Sequence, residues 1–144
     1  MKPLEQWFSE YSESHQHPQN QVIHKICVPL IFFSIVGLLI QIPLSMGPIK
    51  LGEVVIAVAL GWYMTLGALP FLVMLAQVIL SYVLTYALSQ FGNPVYSLLA
   101  IFVLAWIGQF KGHQIEGKKP SFFKDLQFLL IGPLWVVQSL FRKK

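Results

Sequence analysis

The sequence predicts an all-α integral membrane protein with an N-terminal amphipathic helix, four transmembrane helices and a fifth, short re-entrant or interfacial helical segment. Hydrophobic residues make up 56% of the 144 residues and charged residues only 11%, whereas an average soluble domain has about 25% charged residues. Long apolar runs alternate with short turns that contain glycine or proline. A soluble fold of this length could not bury so much apolar surface, so the bilayer must act as part of the solvent. We expect one membrane domain over residues 1–144.

The N-terminal segment has the spacing of an amphipathic helix over residues 3–13. Four apolar residues recur at three- and four-residue intervals and so share one helix face: Leu4, Trp7, Phe8 and Tyr11. Such a helix lies in the membrane interface or packs on the transmembrane helices. A polar turn follows. Pro18 then predicts the start of the next helix, because its missing N–H costs nothing at the first helical position.

Four apolar runs are predicted to cross the membrane. The first three end at turns that contain glycine or proline, and a polar segment follows the fourth. The runs are about 22–42, 51–66, 70–89 and 95–110. A fifth apolar run, Leu126–Phe141, is shorter than the roughly 20 residues that a crossing helix needs. It also contains Gly132 and Pro133, which we expect to interrupt a helix. We therefore expect the fifth run to be re-entrant or interfacial.

The distribution of cations predicts the orientation in the membrane. With four crossings, nine of the ten lysine and arginine residues lie on one side, and only Lys50 lies on the other. The positive-inside rule makes the first side cytoplasmic. That side carries the N-terminal segment, the polar segment 111–125 and the C-terminal tail. The membrane would be the inner membrane of a bacterium or the endoplasmic reticulum of a eukaryote.

The same topology brings all four histidines to the cytoplasmic face: His15, His17, His24 and His113. Neutral imidazole suits iron, zinc and copper, and two histidines with one carboxylate form the common non-haem iron(II) site. The alternative is that these histidines are merely solvated at the interface. Because all four lie in two short segments that converge, we predict a metal site.

Polar residues accompany these histidines at helical spacing. Asn20 and His24 are four residues apart, as are Gln109 and His113, and the members of each pair share a helix face. Glu116 follows His113 by three residues and is a candidate carboxylate at the same site.

Three further residues have ordinary structural explanations. Gly112 and Gly117 flank the segment that holds His113. Such glycines either let the backbone approach a ligand or end a helix, and we expect these two to end the fourth transmembrane helix. Glu53 is the one carboxylate that could couple proton movement in a transporter. It lies one turn inside a predicted helix start, where a carboxylate is favoured electrostatically, and we prefer that structural explanation.

The chain contains two motifs, one near its N-terminus and one at the end of the fourth apolar run. Tyr11 to His24 reads Y-x-x-x-H-x-x-P-x-N-x-x-x-H, and residues 106–113 read W-I-G-Q-F-K-G-H, followed by Glu116 and Pro120. Together they resemble the membrane family of the fungal 2-hydroxy-fatty-acid α-dioxygenase, over nearly the whole chain. The resemblance implies an iron(II) cofactor, O2 as co-substrate and a 2-hydroxy fatty acid that leaves one carbon shorter.

The resemblance also implies roles for individual residues. The histidines that match the family's iron ligands, and would be catalytic, are His15, His24 and His113. Asn20 and Gln109 match polar positions around the cofactor, and Glu116 matches a catalytic position. Two departures from the family pattern leave the roles of two residues open. His17, a possible extra metal ligand, stands where asparagine is more usual, and Glu116 follows His113 by three residues instead of four.

We therefore predict an enzyme, an iron(II)-dependent dioxygenase that shortens a 2-hydroxy fatty acid. A small membrane transporter, a haem protein with His24 and His113 as axial ligands, and a structural protein with incidental histidines are the alternatives. Classical membrane desaturases are excluded because they need more histidines than the four present. Nucleic acid is not an expected partner, because the cations lie beside apolar runs. The sequence leaves the oligomeric state open.

Overall fold

The fold is that of a computed structural model, which describes residues 3–13, 15–117 and 122–141. Within these ranges the chain forms six α-helices and one two-stranded antiparallel hairpin. In chain order they are α1 (Leu4–Glu13), α2 (Pro18–Gln41), β1 (Ser45–Met46), β2 (Ile49–Lys50), α3 (Leu51–Met64), α4 (Ala68–Ser89), α5 (Pro94–Glu116) and α6 (Phe122–Phe141). The predicted all-α fold class is confirmed, and α2 begins at Pro18 as predicted.

Three of the described helices are long and apolar enough to cross a membrane: α2, α4 and α5. The second predicted span is the shorter helix α3, whose 14 residues extend only about 21 Å at 1.5 Å per residue. This is less than the roughly 30 Å of a hydrocarbon core. Membrane association is thus supported, while the fourth crossing stays a prediction. Lys118 and the tail residues 142–144, on which the predicted orientation partly depends, lie outside the described residues.

Helix α5 extends beyond its predicted end. The fourth span was expected to stop near Phe110, and Gly112 to end the helix, but α5 continues through Gly112 to Glu116. A single glycine in a helix interior costs only about 1 kcal/mol, which the residues around it outweigh. The chain leaves the helix at Gly117, where φ is +75°, as is usual for a glycine just past a helix end. The prediction for Gly112 was therefore wrong, and Gly117 does follow the helix end.

Helix α6 is continuous through Gly132 and Pro133, so the predicted interruption of the fifth run was wrong. A proline removes one backbone N–H from the helix ladder, yet here it does not end the helix. Gly132 is also buried in a close contact, because a Cβ at this position would lie 2.8 Å from Val28 Cγ1. The re-entrant or interfacial placement of this segment stays a prediction.

The chain divides into two compact units, and the first contains the residues up to Phe32 and from Val103 onward. In it α1 packs against α6. Tyr11 is 1% exposed, and the centroid of its ring lies 5.3 Å from that of Phe128 and 4.9 Å from that of Trp135. The Trp135 Nε1 donates a hydrogen bond to Ser12 Oγ at 3.2 Å. The predicted amphipathic helix is thus confirmed, and Tyr11 of its apolar face packs on α6.

The second unit is Phe33–Phe102, in which α3 packs against α4. Gly37 of α2 lies so close to its neighbours that a Cβ there would be 2.8 Å from Thr85 Oγ1 and 2.7 Å from Leu98 Cδ2. Small residues permit such close helix contacts in membranes. The prediction of one domain over residues 1–144 stays a prediction.

A short hairpin that the sequence did not indicate joins α2 to α3. It pairs Ser45 with Lys50 and Met46 with Ile49, and Gly47 supplies the positive φ of 62° at the turn. The Lys50 N–H donates a hydrogen bond to the Glu53 Oε1 at 3.2 Å. Glu53 therefore caps the start of α3, as its position predicted.

Candidate functional site

Three of the four histidines lie together in the first unit. His15 lies in the turn after α1, His24 on α2 and His113 on α5, and all three are buried. The ring centroids are 4.2 Å apart for His15 and His24, 5.3 Å for His24 and His113, and 6.1 Å for His15 and His113. Residues that are distant in sequence thus bring three imidazoles into one buried group, which we call the histidine cluster.

Two rings of the histidine cluster are held by backbone carbonyls. The Nδ1 of His15 donates to the Tyr11 carbonyl at 2.5 Å, and the Nδ1 of His24 donates to the Asn20 carbonyl at 3.0 Å. A carbonyl oxygen only accepts hydrogen bonds, so each Nδ1 carries the proton and, in the neutral ring, Nε2 keeps a lone pair. The His24 Nε2 is buried and has no hydrogen-bond partner among the described residues. Metal-ligating histidines are typically oriented in this way through their other nitrogen.

His15 is further fixed by an aromatic stack. Its ring lies parallel to that of Tyr11, with an interplanar angle of 4° and a centroid distance of 4.0 Å. Tyr11 belongs to α1 and is held by the packing of α1 on α6. It fixes His15 in turn, through the ring stack and through its own carbonyl oxygen. The sequence marked Tyr11 as part of an apolar stripe and of the family motif, but not as a residue that orients a histidine.

A small cavity of about 10 Å³ lies among these side chains, roughly the room that one water molecule needs. It is lined by Tyr11, His15, His24, Val28, Gln109, His113, Phe128 and Leu129. Gln109 is 5% exposed, and its Oε1 has no hydrogen-bond partner among the described residues. The cavity therefore presents imidazole and amide groups to a single small occupant.

The rings converge without forming a set of metal ligands. Within residues 3–13, 15–117 and 122–141, no three His, Cys, Asp or Glu side chains are arranged to hold one metal ion. The ring planes of His15 and His24 cross at 79°, and those of His24 and His113 at 78°, so the rings pack edge to face. The chemistry of the donors fits a transition metal all the same, because the imidazoles are buried and two are anchored through Nδ1.

Glu116 lies at the end of α5, beside the start of α2. Its Oε1 accepts a hydrogen bond from the His17 N–H at 2.9 Å and another from the Asn20 Nδ2 at 3.0 Å. The carboxylate thus serves a helix N-terminus, where negative charge is favoured. Asn20 is fully buried, and it connects Glu116 through its side chain to His24 through its carbonyl oxygen.

The structure places the His17 side chain outside the histidine cluster. Its ring is exposed, and its Nδ1 accepts a hydrogen bond from the Gln19 N–H at 3.2 Å. Of the seven residues singled out from the sequence, the structure therefore gathers three histidines and Gln109 around the cavity. Asn20 and Glu116 lie beside them, and only His17 faces solvent.

Two glycines of α5 contribute to the site in a way that the sequence analysis missed. A Cβ at Gly108 would lie 2.7 Å from Cys27 Sγ. A Cβ at Gly112 would lie 3.2 Å from His24 Cε1 and still closer to Asn20 Oδ1. The four-residue spacing of the two glycines is the small-residue pattern of close helix pairs in membranes, and this signal would have found them.

Comparison with known proteins gives one family. The family model described as 2-hydroxy-palmitic acid dioxygenase Mpo1-like matches residues 1–144. No curated protein and no solved structure matches the chain. Since the match covers the whole sequence, including both motifs that carry the histidine cluster, the chain belongs to the Mpo1-like family.

Proposed function

We propose that the protein is an iron(II)-dependent dioxygenase that shortens a 2-hydroxy fatty acid by one carbon, with O2 as co-substrate, at the cytoplasmic face of the membrane. The observation that carries the proposal is the histidine cluster, three buried imidazoles within 6.1 Å of one another in a member of this family. When bound, iron(II) would supply the one-electron chemistry that O2 needs to react with a substrate.

The residues of the site have separate tasks in this proposal. His15, His24 and His113 would hold the iron, and the carbonyls of Tyr11 and Asn20 keep two of these rings in the tautomer that can ligate. Gln109 lines the same cavity, so its amide offers an acceptor and two donors to a polar group of the substrate. The surrounding aromatic and aliphatic side chains keep bulk water away.

The surface of α2 suits an acyl chain that stays in the bilayer. Val22, Ile26 and Leu30 are four residues apart and between 41% and 59% exposed, so they form one outward apolar stripe. It begins at the same level of the helix as His24, whose own side chain is buried on the opposite face. A fatty acid lies with its carboxylate at head-group level and its chain among the lipid tails. The histidine cluster, near the start of α2, is therefore at the end of the helix where the carboxyl group would lie.

The geometry argues against two alternatives. A haem with His24 and His113 as axial ligands needs its macrocycle between the two rings, but these rings already pack edge to face, with their centroids 5.3 Å apart. A proton-coupled transporter needs an ionisable group within its spans, but the carboxylate considered for this role, Glu53, caps the start of α3.

Product analysis tests the proposed reaction. Purified, iron-loaded protein incubated with 2-hydroxypalmitate under air is expected to yield the fifteen-carbon acid. Product formation should require both O2 and iron(II), and it should be lost in the His113→Ala protein, because one of the three ligands is missing. If no shortened acid forms across a range of chain lengths, with iron bound and the fold intact, the reaction is wrong.

Cysteine labelling tests the orientation. In a Cys27→Ser background, single cysteines at Glu5, Lys118 and Lys143 are expected to resist a membrane-impermeant maleimide added to intact cells, because the cation-rich side is inside. Lys50→Cys is the positive control, since Lys50 is exposed and predicted to lie outside. Labelling at position 143 alone would show that α6 crosses the membrane, and labelling at position 118 would refute the orientation.

A further inference from the structure

We propose that Glu116 is a positioning residue and not a metal ligand. Through its hydrogen bond with Asn20 it holds the end of α5 against the start of α2, and thereby sets the distance between the rings of His24 and His113. The inference rests on the proposed function to the extent that these histidines hold the metal. It assigns the carboxylate a task different from the catalytic one that the family resemblance implied.

The hydrogen bonds of Glu116 connect the end of one helix to the start of another. One oxygen, Oε1, accepts hydrogen bonds from the backbone of His17 and from the side chain of Asn20. Both donors belong to the first turn of α2 or to the residue just before it, whereas Glu116 is the last residue of α5. Charge-assisted hydrogen bonds to a carboxylate are stronger than bonds between neutral groups, so this junction resists displacement.

The hydrogen bond between Glu116 and Asn20 lies about one helical turn from each histidine that it would position. Glu116 is three residues after His113 on α5, and Asn20 is four residues before His24 on α2, so each pair shares a helix face. The carbonyl of Asn20 also accepts the Nδ1 proton of His24. A shift of Asn20 would therefore move both the ring of His24 and its distance from His113.

The two helices run antiparallel along a seam of close contacts. Passing back along α5, Glu116 contacts Asn20, Gly112 lies against Asn20 and His24, and Gly108 lies against Cys27. The two glycines allow the backbones of α2 and α5 to approach each other. Glycine contacts alone include no hydrogen bond that would prevent one helix from sliding along or rotating against the other. The hydrogen bonds that Glu116 accepts supply that restraint, at the end of the close contact that is nearest the histidine cluster.

The position of Glu116 also separates it from the cavity. Among the described residues, eight line the cavity, including the three histidines and Gln109. Glu116 is not one of the eight. Its side chain is half-buried at the outer end of the helix pair. A carboxylate engaged by the backbone of His17, the side chain of Asn20 and the backbone of Gln16 is placed to hold the two helix ends together, whereas the imidazoles face the cavity.

Cobalt(II) binding distinguishes a Glu116 that positions the histidines from a Glu116 that binds the metal itself. We would titrate detergent-purified protein with Co(II) and record affinity, the visible absorption spectrum and thermal unfolding for Glu116→Ala and Glu116→Gln. Glu116→Ala should weaken Co(II) binding by about 10- to 100-fold, the range for residues that orient metal ligands. Glu116→Gln keeps an oxygen that accepts both hydrogen bonds, so it should retain most of the affinity and the wild-type spectrum.

A double-mutant comparison tests the route through Asn20. If Glu116 acts through Asn20, Asn20→Ala combined with Glu116→Ala should weaken Co(II) binding no more than the stronger single variant, because residues of one network are not additive. Additive losses would overturn the proposal. So would a Glu116→Gln protein that binds as weakly as Glu116→Ala or has an altered spectrum, or a Glu116→Ala protein that binds like wild type.

The outcome for the reaction stays separate, because Co(II) binding does not require turnover. If the wild-type protein in its iron form makes no shortened acid while the Co(II) results hold, the proposed reaction fails and the positioning role stands. If His24→Ala binds Co(II) as tightly as wild type, the histidine cluster is not the metal site and the positioning role fails with it.

Discussion

Alanine in place of His24 or His113 is expected to remove nearly all metal binding while the protein still inserts into the membrane. Each imidazole provides one bond to the metal, so its loss should weaken binding by more than about 100-fold, the upper end of the range for residues that only orient ligands. Elemental analysis of the purified, iron-loaded variants measures the effect. The centroids of the two rings lie only 5.3 Å apart, so either substitution removes one of the imidazoles that would share the metal.

Gln114→Ala is the matched control for His113→Ala. Gln114 is the next residue on α5, but its side chain is exposed, so this variant should keep wild-type metal content. It undergoes the same expression and purification, and a loss of iron there would indicate damage to α5 in general. Stoichiometric iron in the His24→Ala, His113→Ala double variant would place the metal site elsewhere in the chain.

A methyl group at Gly112 is expected to destabilise the protein and weaken metal binding together. The Cβ of Gly112→Ala would collide with Asn20 Oδ1 and lie 3.2 Å from His24 Cε1, so α5 must move away from α2. Overpacking of this kind costs about 1–3 kcal/mol. Thermal unfolding in detergent and metal titration on the same preparation measure the two effects.

Gly61→Ala is the matched control for this substitution. Gly61 also lies inside a helix, α3, but a Cβ there meets nothing within 4 Å. Alanine should leave stability unchanged or raise it by up to about 1 kcal/mol, because it is the better helix former. A Gly112→Ala protein that unfolds like wild type and keeps its metal would refute the close approach of α2 and α5.

The fold was predictable from the sequence where hydrophobicity and turn residues act locally. The amphipathic spacing of α1 and the proline that starts α2 each predicted an element that the structure contains. The end of α5 and the continuity of α6 were not predicted, because glycine and proline stop a helix only when nothing else compensates. The close approach of Gly132 to Val28 joins parts of the chain that no local pattern relates.

The site was predictable in composition but not in arrangement. Charge placement predicted that the histidines share one side of the membrane, and motif spacing put Asn20 and His24 on one helix face. Which side chains turn inward depends on tertiary packing, so the sequence could not separate the exposed His17 from the buried His15 only two residues away. Nor could it show that Glu116 hydrogen-bonds the start of α2, since that contact spans 99 residues between His17 and Glu116.

The histidine cluster draws His15 and His24 from the beginning of the chain and His113 from near its end, with residues 25–112 between them. A polypeptide is synthesised from its N-terminus, so two of the three imidazoles emerge long before the third exists. Under the proposed function, a nascent chain offers cytoplasmic iron only a weak two-imidazole site until α3, α4 and α5 have been made. Metal loading is then a final step of biogenesis, and a chain truncated before α5 stays an apoprotein.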